Sequence, residues 1–573
     1  MDNHAGRTEG SQKAGRGRKK RDLGRAQWSR QMPDKRERNE RAEEVKRRKL
    51  DNGEEVIAPV YATEFSKEDI ESEQRRPKKK VAVLIGYSGT GYKGMQLSST
   101  EKTIEGELFT AFVAAGAISK ANAADPKKSS LVRCARTDKG VHAAGNVVSL
   151  KLIVEDPDVV KKINEKLSSQ IRVWDIIAAN KAFSSYQMCD SRIYEYLIPS
   201  HCFLPPHPST FLGLKLVELA EKAGELEAYR LRQEEVATYW DEVDETVLRP
   251  LLESFPEEVR KPVEKALHMS DEEDATPESA PAQAAKEPAD AEEISTSDDS
   301  ATKQPAESLS EEEVALRRQI YEAVKTVKAA YLRARRAYRI PPARLARIQT
   351  ALNQYVGTFN FFNYTIQKTF KDPSAKRHIK TFNLNTEPII IDGSEWLSLK
   401  VHGQSFMMHQ IRKMVAMAAL VVRCGCVPER IADTYGSTKL AIPKAPGLGL
   451  LLERPIFDAY NRKAVDTGKE PLDFDKYTTE MNEFKQREIY DRIFREEEQS
   501  HAFSSFFNHI DHYAQEEFLY LTSGGIPAAR PATEHKAGET TKPAAGPERT
   551  SQRGALAQVE MESEDEGGAE EEG

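Results

Sequence analysis

A chain of 573 residues, 31% of them charged and 39% hydrophobic, has room for several domains, yet a sizeable part of it cannot be core. It has no run of about 18 apolar residues, which excludes a helical membrane span, and its first residues lack the apolar stretch of a secretory signal. Acids among the N-terminal cations (Asp2, Glu9, Asp22, Asp34) speak against a mitochondrial transit peptide, and five scattered cysteines suit a reducing compartment.

The net charge of −7 averages over segments of opposite sign. Residues 1–50 hold 17 Lys and Arg against 8 Asp and Glu. Residues 270–313 hold 15 acids and 2 lysines, and residues 526–573 hold 11 acids and 5 bases. Without those two acidic segments the chain carries a net +12, the sign a nucleic-acid partner requires.

Residues 1–77 read as a disordered basic arm. The clusters RGRKKR (16–21) and KRRKL (46–50) fit nuclear localisation signals or phosphate contacts. Glu40, Glu43 and Glu44 interleaved with Arg41 and Lys46 also fit a solvated helix. The first half of the folded part, 78–213, opens with a nearly continuous apolar strand at 81–87. The Gly-rich SGTGYKGMQ that follows lacks the GxxxxGK[ST] pattern of a phosphate loop. A helix is predicted at 103–115, with Thr103 as its cap and Ile104, Leu108 and Phe112 on one face.

Next comes RCARTDKGVHAAGNVVSLKL, 133–152. Apolar Leu131 and Val132 precede it, and from Asn146 it has the β-branched content of a strand. Asp138 therefore falls in the connection between two strands, with Gly140 supplying backbone freedom. A carboxylate held there can act as a nucleophile or a general base. Arg136, Lys139 and His142 in the same loop would attract a polyanion and help keep Asp138 ionised. A plain hairpin turn would use the same Asp and Gly. A short helix at 158–167 and strands at 173–178 and 192–198 follow. In SRIYEYLIP, Tyr194 and Tyr196 lie two apart and share a strand face, where two rings could simply fill a core.

A helical insert (214–269) and an acidic disordered linker without aromatics (270–313) separate this half from a second, 314–463. Residues 325–347 carry eight Lys and Arg and no acid. A solvated helix face usually mixes both signs, so Lys325, Lys328, Arg333, Arg335, Arg336 and Arg339 are candidates for RNA-backbone contact on a helix stopped by Pro341 and Pro342. A helix at 348–355, a loop at 357–365 and strands at 379–384, 389–391 and 397–401 come next. SFMMHQIRKMVAMAALVVRCG reads as a long apolar helix with Arg412 inside it; a buried Arg needs an anionic partner unless it snorkels to water. Cys424 and Cys426 read as buried structural thiols and not as metal ligands. Residues 464–515 suggest a long amphipathic helical extension, and 516–573 a disordered acidic tail.

ARTDKGVHA resembles the active-site signature of the tRNA pseudouridine synthase A family, and the longer RCARTDKGVHAAGNVVSLK resembles its eukaryotic multisite members. Arg192, Tyr194 and Tyr196 match the family's R-x-Y-x-Y segment, and His409 and Arg412 match its apolar third motif. The resemblance implies an α+β pseudouridine synthase fold. Two ferredoxin-like halves would form a mixed, mainly antiparallel sheet, with helices on one face and an RNA-binding cleft on the other. It implies that Asp138 is catalytic, that Arg412 pairs with it, that Tyr194 stacks on the target uracil, and that Arg136 fills the gap left by a flipped base. The implied reaction is isomerisation of uridine to pseudouridine at several positions in tRNA, chiefly in the anticodon stem and loop, with small nuclear RNA and mRNA as further substrates. No group enters or leaves and no redox change occurs, so neither cofactor nor metal is required. The expected protein is a nuclear monomer whose basic clusters engage an import receptor. Two other classes use the same features: a non-catalytic RNA-binding protein or RNA chaperone, and an N-glycoside hydrolase.

Overall fold

The computed structural model describes residues 59–267, 311–366 and 368–529. The basic clusters, most of the acidic linker and the tail beyond 529 lie outside these residues. Among the described residues no helix is long and apolar enough to cross a membrane.

Strand β1 (Lys79–Tyr87) is buried from Val81 to Tyr87, as its unbroken apolar run requires. Helix α1 (Ile104–Ala114) follows, and the Gly106 N–H donates to the Thr103 hydroxyl at 3.2 Å, the expected cap. Then come β2 (Val132–Arg133), β3 (His142–Leu152), β4 (Ile171–Ala178) and β5 (Ser191–Pro199). The second half supplies β6 (Gly357–Asn360), β7 (Lys376–Leu384), β8 (Ile389–Ile391), β9 (Ser394–Gly403) and β10 (Leu450–Ile456). They make one ten-stranded sheet in the order β4-β1-β3-β10-β5-β9-β7-β6, with β2 on β3 and β8 on β9. Every pairing is antiparallel except β3 with β10, which run parallel through Leu451 beside His142 and Leu452 beside Ala143. The mixed, mainly antiparallel sheet is as expected. The first residues of GTFNFFNYT, expected as a loop, are the edge strand β6.

Several boundaries move. Packed structure is present before residue 78: the Tyr61 ring meets Phe109 edge-on at 6.3 Å, and a helix at Lys67–Ser72 is capped by Ser66. Residues 516–529, expected in the tail, are folded because Tyr520 and Leu521 are buried and the Tyr520 hydroxyl donates to Ala441 O at 3.0 Å. Residues 311–313, placed in the linker, start a long helix, α2 (Glu311–Ala337). Ala323 and Val327 of α2 form a separate small core with Leu248, Val259 and Val263 of the insert. The basic helix thus ends at Ala337, and Pro342 opens a new helix, α3 (Pro342–Asn353), at a position where its missing N–H costs nothing. The apolar stretch after β9 gives α4 (Gln410–Arg423), with residues 404–409 outside it. The C-terminal extension is not one helix. Left-handed His501, φ 49°, separates α5 (Asp491–Ser500) from α6 (Ala502–His512).

The extension is part of the domain. Tyr194 and Tyr196 point to one face of β5 and Glu195 to the other. There Glu195 accepts from Lys485 Nζ (3.2 Å) and the Tyr490 hydroxyl (2.7 Å). The insert is fixed by Arg344 of α3, which is fully buried. Its guanidinium donates to Phe203 O (2.6 and 2.9 Å), Gln233 Oε1 (2.9 Å), Val422 O (3.1 Å) and Glu235 Oε1 (3.3 Å). Removing it takes donors from Phe203 O, Gln233 Oε1 and Val422 O and leaves Glu235 to Arg347, whose Nε donates to Oε1 at 2.8 Å. Arg344→Met is expected to lower stability by about 3–5 kcal/mol, the scale for breaking a buried charged pair, read as a downward shift of the denaturant midpoint. A change below about 1 kcal/mol would contradict this role for Arg344.

Candidate active site

The loop between β2 and β3 is held at both ends. Cys134 N–H donates to Val147 O at 2.8 Å. Asn146 Nδ2 donates to Ala135 O (3.2 Å) and to the Tyr87 hydroxyl (3.3 Å), which is hydrogen-bonded to Thr137 Oγ1 (2.8 Å). Met95 N–H donates to Thr137 O, and Val141 N–H to Asp138 O, both at 3.1 Å. The Gly-rich loop after β1 lies directly against this backbone. At Gly94, φ 96°, a Cβ would stand 2.7 Å from Thr137 O, so glycine is required. That loop cradles the backbone around Asp138. The carboxylate itself remains 39% exposed.

The parallel seam brings three distant segments to this loop. Tyr194 of β5 pairs with Leu452, and Leu452 pairs with Ala143 just after the loop. On either side of Tyr194 the same strand face ties down a neighbour. Arg192 Nη2 donates to Cys134 O at 2.8 Å, holding the approach to Asp138. The Tyr196 hydroxyl donates to Pro446 O at 2.6 Å. Tyr194 is buried, with its ring edge-on to Phe406 at 5.3 Å. Burial raises its phenol above the ordinary value; Arg192 opposes the rise and the Asp138 charge adds to it.

Arg412 is buried in the first turn of α4 and does not reach open water. Its Nε donates to Ala445 O at 2.6 Å, and its guanidinium lies against Gly447. Just before α4, the His409 Nε2 stands within ion-pair distance of Asp138, 3.7 Å from Oδ2. His409 precedes α4 in the left-handed region, φ 61°. Burial, then Lys444, Arg412 and Lys413, lower its pKa to about 3, so the imidazole is neutral.

The candidate RNA contacts separate into groups. Arg136 and Lys139 flank Asp138 and are exposed. His142 is a correction: it is fully buried in β3, hydrogen-bonded through Nδ1 with Ser88 Oγ and Gly89 N (both 3.2 Å), and burial lowers its pKa to about 3. It offers no charge to a polyanion. On α2, Lys325 and Arg333 are exposed and Lys328 is half-buried. The Arg335 guanidinium lies 5.5 Å from the Trp240 ring centre, and Arg336 meets Glu498 at 3.5 Å. Arg339, beyond α2, donates to Arg336 O, Tyr338 O and Gly393 O. These three therefore fasten α2 to its neighbours, because a guanidinium beside packed backbone finds carbonyls and rings before solvent. Cys424 is buried, and the Cys426 thiol donates to Leu521 O.

Lys413 and Lys444, whose charges act on His409, are not singled out by sequence reasoning. The available signal for Lys444 was STKLAIPKAP, two lysines without an acid, but its distance from His409 along the chain hid the contact.

Residues 351–458 match a family model described as tRNA pseudouridine synthase. The chain is 44% identical over 447 residues to tRNA pseudouridine synthase 1 of Eremothecium gossypii, covering 78% of this chain and 76% of that protein. It is 42% identical over 491 residues to tRNA pseudouridine synthase 1 of Schizosaccharomyces pombe, covering 82% and 90%. Against tRNA pseudouridine(27/28) synthase of Saccharomyces cerevisiae it is 34% identical over 435 residues, covering 75% and 99%. With the Asp138 loop, the RIYEY strand and the α4 segment gathered at one seam of a mixed sheet, and with relatives this similar along most of its length, the chain belongs to the tRNA pseudouridine synthase family.

Proposed function

We propose that this chain isomerises uridine to pseudouridine in tRNA, at several positions centred on the anticodon stem and loop. The observation that carries the reading is the meeting, at one end of the sheet, of a partly open carboxylate and a buried ring in a member of this family. Asp138 is the group that attacks or takes a proton, because it is the acid presented on a loop braced from both sides. The N-glycosidic bond breaks, the uracil turns, and a bond forms from its C5 to the same ribose carbon. C5 loses a proton and N1 gains one, so the atoms balance without a redox partner.

Tyr194 gives the detached base a surface to rest on. Arg412 acts as a positioning residue: it holds residues 445–447 and adds positive potential that favours ionised Asp138. Neutral His409 lets that carboxylate keep its charge without neutralising it. The uridine must leave its stack to reach Asp138, and Arg136, exposed two residues away, takes its place. Lys139, Lys325 and Arg333 meet the backbone, so selection rests on RNA shape. Uridines of similar setting in small nuclear RNA and mRNA are further substrates. The protein works as a monomer in the nucleus, carried there by an import receptor bound to residues 16–21 and 46–50.

Asp138→Asn in the full chain is expected to lower the pseudouridylation rate on tRNA transcripts by about a thousandfold or more, with tRNA affinity within about twofold. Pseudouridine formed at the original rate, or free uracil and abasic RNA among wild-type products, would sink the proposal. Tyr194→Ala should lose about 1–3 kcal/mol in kcat/KM, the worth of one base–ring stack, while Tyr194→Phe keeps most of it. Equal losses in both variants would move the role from ring to hydroxyl. A fluorescent fusion lacking residues 1–50 is expected to leave the nucleus, and unchanged nuclear accumulation would refute the import assignment.

A further inference from the structure

The C-terminal extension reaches the end of the sheet that carries Asp138. Loops lie side by side there. Met95 N–H donates to Thr137 O at 3.1 Å and Gly140 N–H to Tyr92 O at 3.4 Å, so the Gly-rich loop borders the Asp138 loop. On its other side it borders the turn before β4. Ser88 N–H donates to Gln170 O (2.8 Å), Gln170 Nε2 donates to Thr90 O (2.9 Å), and the Tyr92 and Ser168 hydroxyls are 3.2 Å apart. The extension closes this row, because the Ser169 hydroxyl donates to Glu488 Oε2 at 3.4 Å.

Glu488 belongs to a π-helical stretch, Lys485–Tyr490, between the α-helix Thr478–Phe484 and α5. Such stretches are rare and frequent at functional sites. The Glu488 carboxylate is buried and collects two guanidiniums: Arg487 Nε donates to Oε1 at 3.2 Å and Arg492 Nη2 to Oε2 at 2.9 Å. A third, Arg172, folds onto the same turn, where Nη1 donates to Ser168 O and Ile171 O, both at 2.6 Å. Three positive charges thus gather about one negative charge. Glu107, at the neighbouring turn, is already engaged by the Tyr92 hydroxyl (2.6 Å), Ser168 N–H (3.0 Å) and Lys102 (3.5 Å).

One cation would satisfy a buried carboxylate, and Arg492, 29% exposed, supplies it. The Arg487 side chain is 61% exposed, and an ion pair in water adds little stability, so the fold does not need it. What Glu488 does for Arg487 is orient it: one N–H is held, and the planar fork of donors is set toward solvent in the geometry that suits a phosphate. RNA whose uridine is extruded toward Asp138 carries its backbone past this end of the sheet, and contacts to that backbone fix its register.

We propose that Arg487, with Arg492 and Arg172 beside it, binds the RNA phosphate backbone flanking the target uridine, so that the C-terminal extension is part of the RNA-binding surface. The occupant rests on the isomerase reading; the arginine cluster is independent of it.

The test uses the full chain with Arg487→Gln, the charge-reversing Arg487→Glu and the charge-keeping Arg487→Lys, each leaving Arg492 to Glu488. Binding of an unmodified tRNA transcript is measured across a potassium chloride series, together with thermal midpoints. Arg487→Gln is expected to bind about fivefold more weakly at moderate salt, with a slope of log affinity against log salt shallower by about 0.7–0.9, the worth of one phosphate contact. Arg487→Glu should bind more weakly still, and Arg487→Lys should keep most of the affinity. Midpoints should stay within about 2 °C of wild type, as for a surface substitution. Unchanged affinity and slope in Arg487→Glu would overturn the proposal. So would an unchanged slope with a lowered midpoint, which marks a clasp between the extension and residues 168–170. The Asp138→Asn variant is run in parallel. If it still forms pseudouridine, the isomerase reading fails while the binding data still decide on the arginines.

Discussion

Two residue pairs, Leu451 beside His142 and Leu452 beside Ala143, join β10 to β3 in parallel, and the site exists because of them. A parallel neighbour cannot come from a tight turn, so it must arrive by a long crossover. Here residues 153–449 separate the two strands. The crossover delivers the connection before β10, with Ala445 and Gly447, to the end of the sheet where the Asp138 loop enters β3. Every other pairing in the sheet is antiparallel and leaves those two segments apart.

Strand β5 makes the seam rigid. Arg192 and Tyr196 bind backbone carbonyls on its two sides, Cys134 toward Asp138 and Pro446 toward Arg412. The ring of Tyr194 is therefore set between two fixed walls. These contacts go to main chain, so they constrain loop position without engaging the Asp138 carboxylate. Glu195 on the opposite face draws Lys485 and Tyr490 of the C-terminal extension onto the sheet. The helical insert is joined through Arg344 to α3 and to the end of α4. The additions to the core thus bind to the same helices and strand that frame the site, and their removal would be felt there.

Charge is distributed to match. Several acidic residues of the folded part sit in buried ion pairs, as with Glu105 and Arg133 or Asp511 and Arg423. Around Asp138 the balance is reversed: His409 is kept neutral by burial and by surrounding cations, and Arg136 and Lys139 remain exposed. A field of that sign collects a polyanion.

Local patterns were legible in the sequence. The apolar run of β1, the Thr103 cap, the β-branched β3 and the spacing of Tyr194 and Tyr196 each follow from period and propensity, which act over a few residues. The signature around Asp138 and the RIYEY strand pointed to the family for the same reason, since they are contiguous. Partners across the chain were not legible. Arg335, Arg336 and Arg339 read as a free basic stripe, yet they meet Trp240, Glu498 and carbonyls, because the insert, the C-terminal extension and the β8–β9 turn all pack against this stretch. His142 looked like a loop cation, but β3 begins at His142 and buries it. Sequence by itself determined most of the strands and helices, though not edge strand β6 or the break at His501, and which residue types carry chemistry. Tertiary structure alone decided that Asp138 meets His409 and that Arg412 spends its Nε on Ala445, since proximity across hundreds of residues depends on packing and not on local periodicity.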